Sequence, residues 1–330
     1  MIDFTAVLAT QEEGKFAASL QRLAREKLPP GDVLVRVKYS SLNYKDGLAV
    51  TGKPGVIRTF PMVPGIDLAG EVEESSTPEF KPGDSVLVTG CGTSETMWGG
   101  YAQLARLNAE FIVPLPSSMT LIQAMGVGTA GFTSMQSVMA LERCGMKPGE
   151  GEIIVTGAAG GVGSVAVALL AKLGYKVAAS TGRAQLADYL RALGAATIID
   201  RAELTAPTKR PMEKERWGGA IDSVGGDTLA TVIRAMKVGG SIAACGLAGG
   251  ASLNTTVYPF ILRGVNLLGV DSVELPCEVK QQMWQLLASD WRPALDKLES
   301  REVTREQLPD CFTEILAGKL RGRVVVKINP

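Results

Sequence analysis

GEIIVTGAAGGVGSVAVALLAKLGYKVAASTGR, residues 151–183, reads as strand, glycine turn, helix, strand. Ile153 to Thr156 is a short run rich in β-branched residues, as suits a buried parallel strand. Gly157, Gly160, Gly161 and Gly163 then crowd into seven positions. A nearly unbroken apolar segment of helical length follows, Val162 to Leu173, closed by Gly174 at its C-terminal end. Lys176 to Ser180 supplies a second strand and completes a βαβ unit.

Such a turn suits a pyrophosphate. Absent Cβ atoms let backbone pass close to a phosphate, and a helix N-terminus offers unpaired N–H groups and partial positive charge. The spacing is GxxGGxG, and its place between strand and helix makes it a dinucleotide signal, with Ala159, Gly160, Gly161 and Val162 at the phosphates. The end of the second strand selects the dinucleotide. An NAD site usually has an Asp or Glu about 20 residues beyond the first glycine, to bond the ribose 2′-OH. Here that place holds Ser180, Thr181, Gly182 and Arg183, with no carboxylate before Asp188. Hydroxyl groups and a guanidinium are what a 2′-phosphate needs, so the expected cofactor is NADPH.

Length and composition bound the rest. A chain of 330 residues predicts two domains. Lys plus Arg and Asp plus Glu balance at 34 each, which gives no field to attract nucleic acid or membrane. No apolar run reaches the ~18 residues of a membrane span. The start has no basic-then-apolar signal, and five cysteines without CxxC spacing suggest neither a disulfide framework nor a zinc ribbon. The expectation is a cytoplasmic enzyme. There is no histidine, which removes the commonest general base, the usual catalytic triads and most catalytic zinc sites.

Residues 1–124 read as β-rich. Val33 to Val37 alternates apolar and charged side chains, and 61–74 and 81–90 are further strands punctuated by Pro-Gly turns, as in a small barrel. Residues 121–141 have helical content. Strands then alternate with helices at 152–157, 176–180, 197–200, 219–224, 241–245 and 265–270, the pattern of a doubly wound parallel sheet. Residues 203–216 read as a polar surface loop. A helix over 279–288 leads to a final strand at 323–328, expected to rejoin the first domain.

Barrel first, dinucleotide domain inserted, short return at the end: the chain resembles the medium-chain dehydrogenase/reductase superfamily over essentially its whole length. Residues 41–46 (SLNYKD), 64–70 (PGIDLAG), 157–163, 180–183, 246–249 (GLAG) and 267–273 (LLGVDSV) are similar to the zinc-free quinone oxidoreductase branch, and within it to NADPH-dependent acryloyl-CoA reductases. The resemblance implies an α/β fold with a GroES-like β-barrel domain (1–124 and 275–330) and a Rossmann domain (125–274). It implies no metal: Ile66-Asp67 stands where zinc-dependent members carry His-Glu, and their structural zinc lobe is missing. Cofactor contacts would fall on Tyr44, Ala159 to Val162, Thr181 to Arg183, Leu247, Ile261, Ser272 and Arg323. Leu247 and Ser272 also follow the fifth and sixth strands, at the carboxyl edge where open parallel sheets bind ligands.

The activity implied is hydride transfer to Cβ of acryloyl-CoA, a small-molecule CoA thioester, with enolate charge developing on the thioester oxygen. Tyr44 would fix the cofactor, and Asn43 or Tyr44 would donate to the carbonyl, with Lys45 and Asp67 nearby. Lys53, Arg58 and Arg323 are candidates for the CoA phosphates. A quinone or alkenal reductase on the same scaffold, or a non-catalytic NADPH-binding protein, are the alternatives. An edge formed by 241–245 and 265–270 predicts a homodimer.

Overall fold

The computed structural model describes residues 3–206 and 210–329. The chain divides into two units. One holds everything through Thr129, together with Ser272–Ser289 and the chain from Glu299 onward; the other holds Ala130–Asp271 and Asp290–Leu298.

The first unit opens with a hairpin, β1 (Asp3–Glu12) and β2 (Lys15–Ala24), followed by β3 (Val33–Ser41), α1 (Tyr44–Val50), β4 (Asp67–Ser75), β5 (Ser85–Thr89), β6 (Leu104–Leu107) and β7 (Val113–Pro114). The alternation seen in 33–37 has a double outcome. Val33, Val35 and Val37 enter the main core with Leu68, Val86 and Val326, while Leu34 joins a separate cluster with Phe4, Ala6 and Leu104 beneath the hairpin. Only Arg36 of this run reaches solvent, where it pairs with Glu73. β3 is therefore covered on both faces along part of its length.

Helix α2 (Leu121–Arg143) is broken at Gly128, whose φ of 53° and ψ of −165° lie outside helical space. The second unit then builds its sheet from β8 (Glu152–Val155), α3 (Gly161–Lys172), β9 (Lys176–Thr181), α4 (Ala187–Leu193), β10 (Thr197–Asp200), α5 (Arg201–Thr205), β11 (Trp217–Asp222), α6 (Gly226–Arg234), β12 (Met236–Ala244), α7 (Tyr258–Arg263) and β13 (Asn266–Gly269). All pairings are parallel, in the order β10-β9-β8-β11-β12-β13. Numbered from β8, that is 3-2-1-4-5-6, and the order reverses between β8 and β11. Helix α3 buries Val165 to Leu170 without a polar face, as a helix covered on all sides does.

Residues 203–216 depart from the expected loop. Asp200 caps α5 by accepting from Ala202 N at 2.9 Å, so a short helix occupies the start of the segment. Residues 207–209 of that expected loop lie outside the described residues.

The chain closes with α8 (Cys277–Ala288), α9 (Arg292–Leu295), β14 (Ser300–Thr304), α10 (Leu308–Leu316) and β15 (Arg323–Lys327). Residues 290–298 were expected with the first domain; α9 instead packs against α3 in the second unit. β15 rejoins the first unit, antiparallel to β3 and parallel to β14, and completes the order β14-β15-β3-β4-β5-β7, with β6 also on β3.

Candidate active site

In the second unit the glycine turn sits at the reversal point of the strand order. Gly157 has a φ of 59°, which glycine adopts without steric cost. A Cβ on Gly163 would lie 2.3 Å from Gly157 O and 2.6 Å from Ala158 Cα, so only glycine lets α3 start this close to the strand. Gly160 stands at the N-cap with no side chain to accept from the first helical turn, and that turn holds no acidic residue. The N–H groups there lack the usual side-chain acceptor, which fits a phosphate. Ala158 N donates to Ser180 O at 3.0 Å and brings the end of β9 alongside the turn. Below it, the buried Asp222 accepts from Thr156 Oγ1 and Gly225 N, each at 2.7 Å. Burial raises its carboxyl pKa against those bonds.

The end of β9 carries Thr181, Gly182 and Arg183. Arg183 N donates to Thr181 Oγ1 at 3.1 Å, which shapes the bend. Asp200 pairs with Thr181 in the sheet, so the next residue, Arg201, arrives beside it. A Cβ on Gly182 would lie 2.8 Å from Arg201 Cζ, and the guanidinium thus packs flat against bare backbone. The Arg201 guanidinium therefore lies against the stretch that ends in Arg183, where a 2′-phosphate is expected. Arg201 was not anticipated; the signal was its position directly after the third strand, adjacent to the second in this strand order.

In the first unit, four ionisable side chains are buried together: Asp46, Asp67, Tyr101 and Arg323. Asp67 receives Ser41 Oγ (2.5 Å), Asn43 Nδ2 (2.8 Å) and Thr129 N (2.9 Å) on Oδ2, and Thr129 Oγ1 (2.5 Å) on Oδ1. The break in α2 explains the reach of Thr129: a Cβ on Gly128 would lie 2.6 Å from both Asp67 Oδ2 and Arg323 Nη2. Arg323 donates to Gly126 O (3.1 Å), Leu42 O (3.2 Å), Asn43 Oδ1 (3.3 Å) and Ser41 Oγ (2.9 Å). Asp46 accepts from Asn43 N and Ile66 N, each at 2.9 Å, and locks the start of α1. Its pKa is raised to about 7, first by burial and then by the charge of Asp67, against those two N–H donors. Burial lowers the pKa of Arg323, opposed by Asp67 and Asp46. Tyr101 donates to Ser41 O at 3.1 Å, and burial holds its hydroxyl in the neutral form.

The structure reassigns several expected residues. Tyr44 is 36 % exposed at the first position of α1, directly after this cluster. Asn43 spends both amide hydrogens on Ser41 and Asp67, so neither is left to donate to a substrate carbonyl. Arg323, expected at a cofactor or CoA phosphate, is 2 % exposed with its guanidinium bound inside the cluster. Asp67 is fully buried among its donors. Lys45 pairs with Glu95, which Arg58 also meets at 3.4 Å; Lys53 is exposed. In the second unit, Leu247 and Ile261 are exposed, while Ala159, Ser180 and Thr181 are buried. Ser272, at the other end of the β13 connection, is buried in the first unit. Ser41, Asp46 and Thr129 were not anticipated, because short polar residues are ordinary until a fold buries them.

Comparison with known proteins matches residues 29–117 to the alcohol dehydrogenase GroES-like domain and residues 161–289 to the family described as zinc-binding dehydrogenase. The chain is 52% identical to acrylyl-CoA reductase AcuI of Ruegeria pomeroyi, over 100% of both chains. It is 42% identical to the putative quinone oxidoreductase YhfP of Bacillus subtilis, over 98% of this chain and 99% of that one. The crystal structure of Escherichia coli YhdH with bound NADPH superimposes with a TM-score of 0.94 at 50% identity, covering 98% of this chain and 100% of that one.

Proposed function

The chain belongs to the medium-chain dehydrogenase/reductase family, and from that membership we propose that it reduces the activated double bond of acryloyl-CoA to propionyl-CoA with NADPH. It is an NADPH-dependent oxidoreductase with a GroES-like β-barrel unit and a Rossmann unit. The observation that carries the reading is the end of β9, where Thr181, Arg183 and Arg201 gather donors and positive charge in place of a carboxylate. The substrate class follows from the full-length similarity to acrylyl-CoA reductase.

NADPH, when bound, supplies the hydride for Cβ of the enoyl thioester. The chain's own residues do the rest. The N–H groups opening α3 hold the pyrophosphate, and Arg183 and Arg201 clamp the 2′-phosphate. Leu247, in the same unit, is a further cofactor contact. Tyr44 donates its hydroxyl toward the thioester oxygen as enolate charge develops there. Asn43 and Arg323 are positioning residues: with Asp46 and Asp67 they fix the first turn of α1, and hence Tyr44. A double bond already conjugated to a carbonyl needs no Lewis acid, and water can protonate the enolate at Cα. Metal-free chemistry fits a chain without histidine that, among the described residues, gathers no three His, Cys, Asp or Glu side chains able to hold an ion.

A homodimer and a cytoplasmic location complete the proposal. β13 is an edge strand of its sheet, and Leu267 upon it and Leu262 on α7 are exposed, as an interface between two copies requires. The five cysteines are free thiols, as in a reducing compartment, and no helix among the described residues is long and apolar enough to cross a membrane. Light scattering that returned the mass of one chain would count against the dimer.

The test is consumption of NADPH or NADH, without added metal, against acryloyl-CoA, crotonoyl-CoA and a benzoquinone. Turnover with NADPH and acryloyl-CoA is the expected result. Quinone reduction without enoyl-CoA activity would favour the activity named for the Bacillus subtilis relative, and NADPH binding without turnover of any acceptor would sink catalysis altogether.

A further inference from the structure

Helix α8 buries a lysine away from the site above. Lys280 is 1 % exposed, and its ammonium donates to Thr89 O (3.1 Å), Val273 O (3.0 Å) and Cys91 Sγ (2.8 Å). Three donors thus meet three acceptors. Two of these are neutral carbonyls, and no ion pair to a carboxylate is formed by Lys280 among the described residues. A buried ammonium is costly without a counter-charge, and Cys91 is its one partner able to carry a negative charge.

The backbone at Cys91 gives a second, independent sign. Gly90, Cys91 and Gly92 have φ values of 70°, 59° and 82°. Glycine accepts such values freely, but a residue with a Cβ does so under strain, and strain of this kind gathers at functional positions. Here it aims a half-buried sulfur at the lysine.

We propose that Cys91 is a peroxide-sensing modification site, its sulfur assisted by the Lys280 ammonium set against it and oxidised reversibly to sulfenic acid by hydroperoxides. The thiolate sulfur attacks one peroxide oxygen; an S–O bond forms as the O–O bond breaks. Sulfur loses two electrons, the peroxide gains them, and the departing oxygen takes a proton from solvent to leave as water or an alcohol. Lys280 stabilises the charge on sulfur as it attacks and the new oxygen after it. Two equivalents of a small thiol reverse the change, releasing water and a disulfide of the reductant.

The remaining cysteines are poor competitors or serve as controls. Burial raises the pKa of Cys245 to about 12 and raises those of Cys277 and Cys311, so all three stay protonated. Cys144 is exposed and, among the described residues, no lysine donates to it, which makes it the internal reference. The link to the rest of the unit runs through the same loop. Thr93 Oγ1 donates to Ile66 O at 2.8 Å beside Asp67, and Glu95 pairs with Lys45 beside Tyr44.

The reduced full-length protein is treated with hydrogen peroxide and then unfolded into dimedone, and each cysteine peptide is quantified by mass. The expected result is a dimedone adduct that accumulates on Cys91 before Cys144, although Cys144 is the more exposed, and that is lost if dithiothreitol precedes dimedone. Lys280→Met should slow oxidation of Cys91 by about tenfold or more while Cys144 keeps its rate. Labelling of Cys144 ahead of Cys91 in the unmodified protein would overturn the proposal, with no variant needed. So would an unchanged Cys91 rate in a Lys280→Met protein whose circular dichroism remains that of the parent.

Discussion

Asn43 Nδ2 donates to Asp67 Oδ2 across 2.8 Å, with both side chains buried. The bond joins the residue before α1 to the first residue of β4, and through them the start of α1 to the sheet. Asp67 accepts on both oxygens, from Ser41, Asn43 and Thr129 on Oδ2 and from Thr129 on Oδ1, whereas an amide keeps only one acceptor oxygen and turns an NH2 toward the other donors. Asp67→Asn would also remove a negative charge facing the buried Arg323. The expected loss is about 3–5 kcal/mol, as when one member of a buried ionic network is removed. Urea denaturation measures it; a loss under about 1 kcal/mol would show that the cluster is replaceable.

Stability should depend on pH in a window where most proteins are governed by histidine. Asp46 has its pKa raised from 3.8 to about 7. Between those values the folded chain holds a proton that the unfolded chain has released. Its contribution to stability is therefore complete below about pH 4 and is lost as pH rises through about 7, at up to about 1 kcal/mol per pH unit. With no histidine in the chain, little else titrates there. Melting temperatures should fall as pH rises from about 5 to about 7 and level off above that, and Asp46→Asn, less stable at the outset, should give a flatter profile. A wild-type profile rising across this range would refute the assignment.

The two arginines at the end of β9 should separate the two nicotinamide cofactors. Arg183→Ala and Arg201→Ala are each expected to raise KM for NADPH by about 10–100-fold, the worth of one charge-assisted contact, and to leave KM for NADH near its starting value. Steady-state kinetics with both cofactors checks this. Equal weakening toward NADH would place the effect on folding of the turn.

Tyr44→Phe removes one hydroxyl from a half-exposed ring. kcat/KM should drop about tenfold, equivalent to ~1.4 kcal/mol of transition-state stabilisation, while the melting temperature stays put. Single-turnover rates at saturating NADPH would show whether the loss lies in chemistry or in cofactor binding.

What could be read from sequence was what short-range pattern dictates. The glycine turn, the apolar α3 and the hydroxyl-and-arginine end of β9 announce themselves within about thirty residues, because their geometry depends on neighbours in the chain. Arg323 shows where that legibility stops. Surface placement is the ordinary fate of an arginine, and only the pairing of β15 with β3, across 280 residues, brings its guanidinium to Asn43 and Ser41. Lys280 was illegible for the same reason: its partners at Thr89 and Cys91 lie 191 and 189 residues away. Asn43 shows a subtler limit. Its residue type suits a donor to substrate, but burial between Ser41 and Asp67 consumes the hydrogens it would have offered.

The pairing of β15 with β3 also governs the order in which a growing chain can mature. Residues 130–271, most of the second unit, leave the ribosome as one uninterrupted piece, ready to collapse around their own sheet. The first unit has no such freedom. β6 covers β3 from Val33 to Arg36, but the end of that edge, Tyr39 to Ser41, must wait until β15 is made. A premature stop after Leu298 and before β15 therefore yields a molecule whose nucleotide-binding half can be finished while the other half is left with an open, adhesive seam.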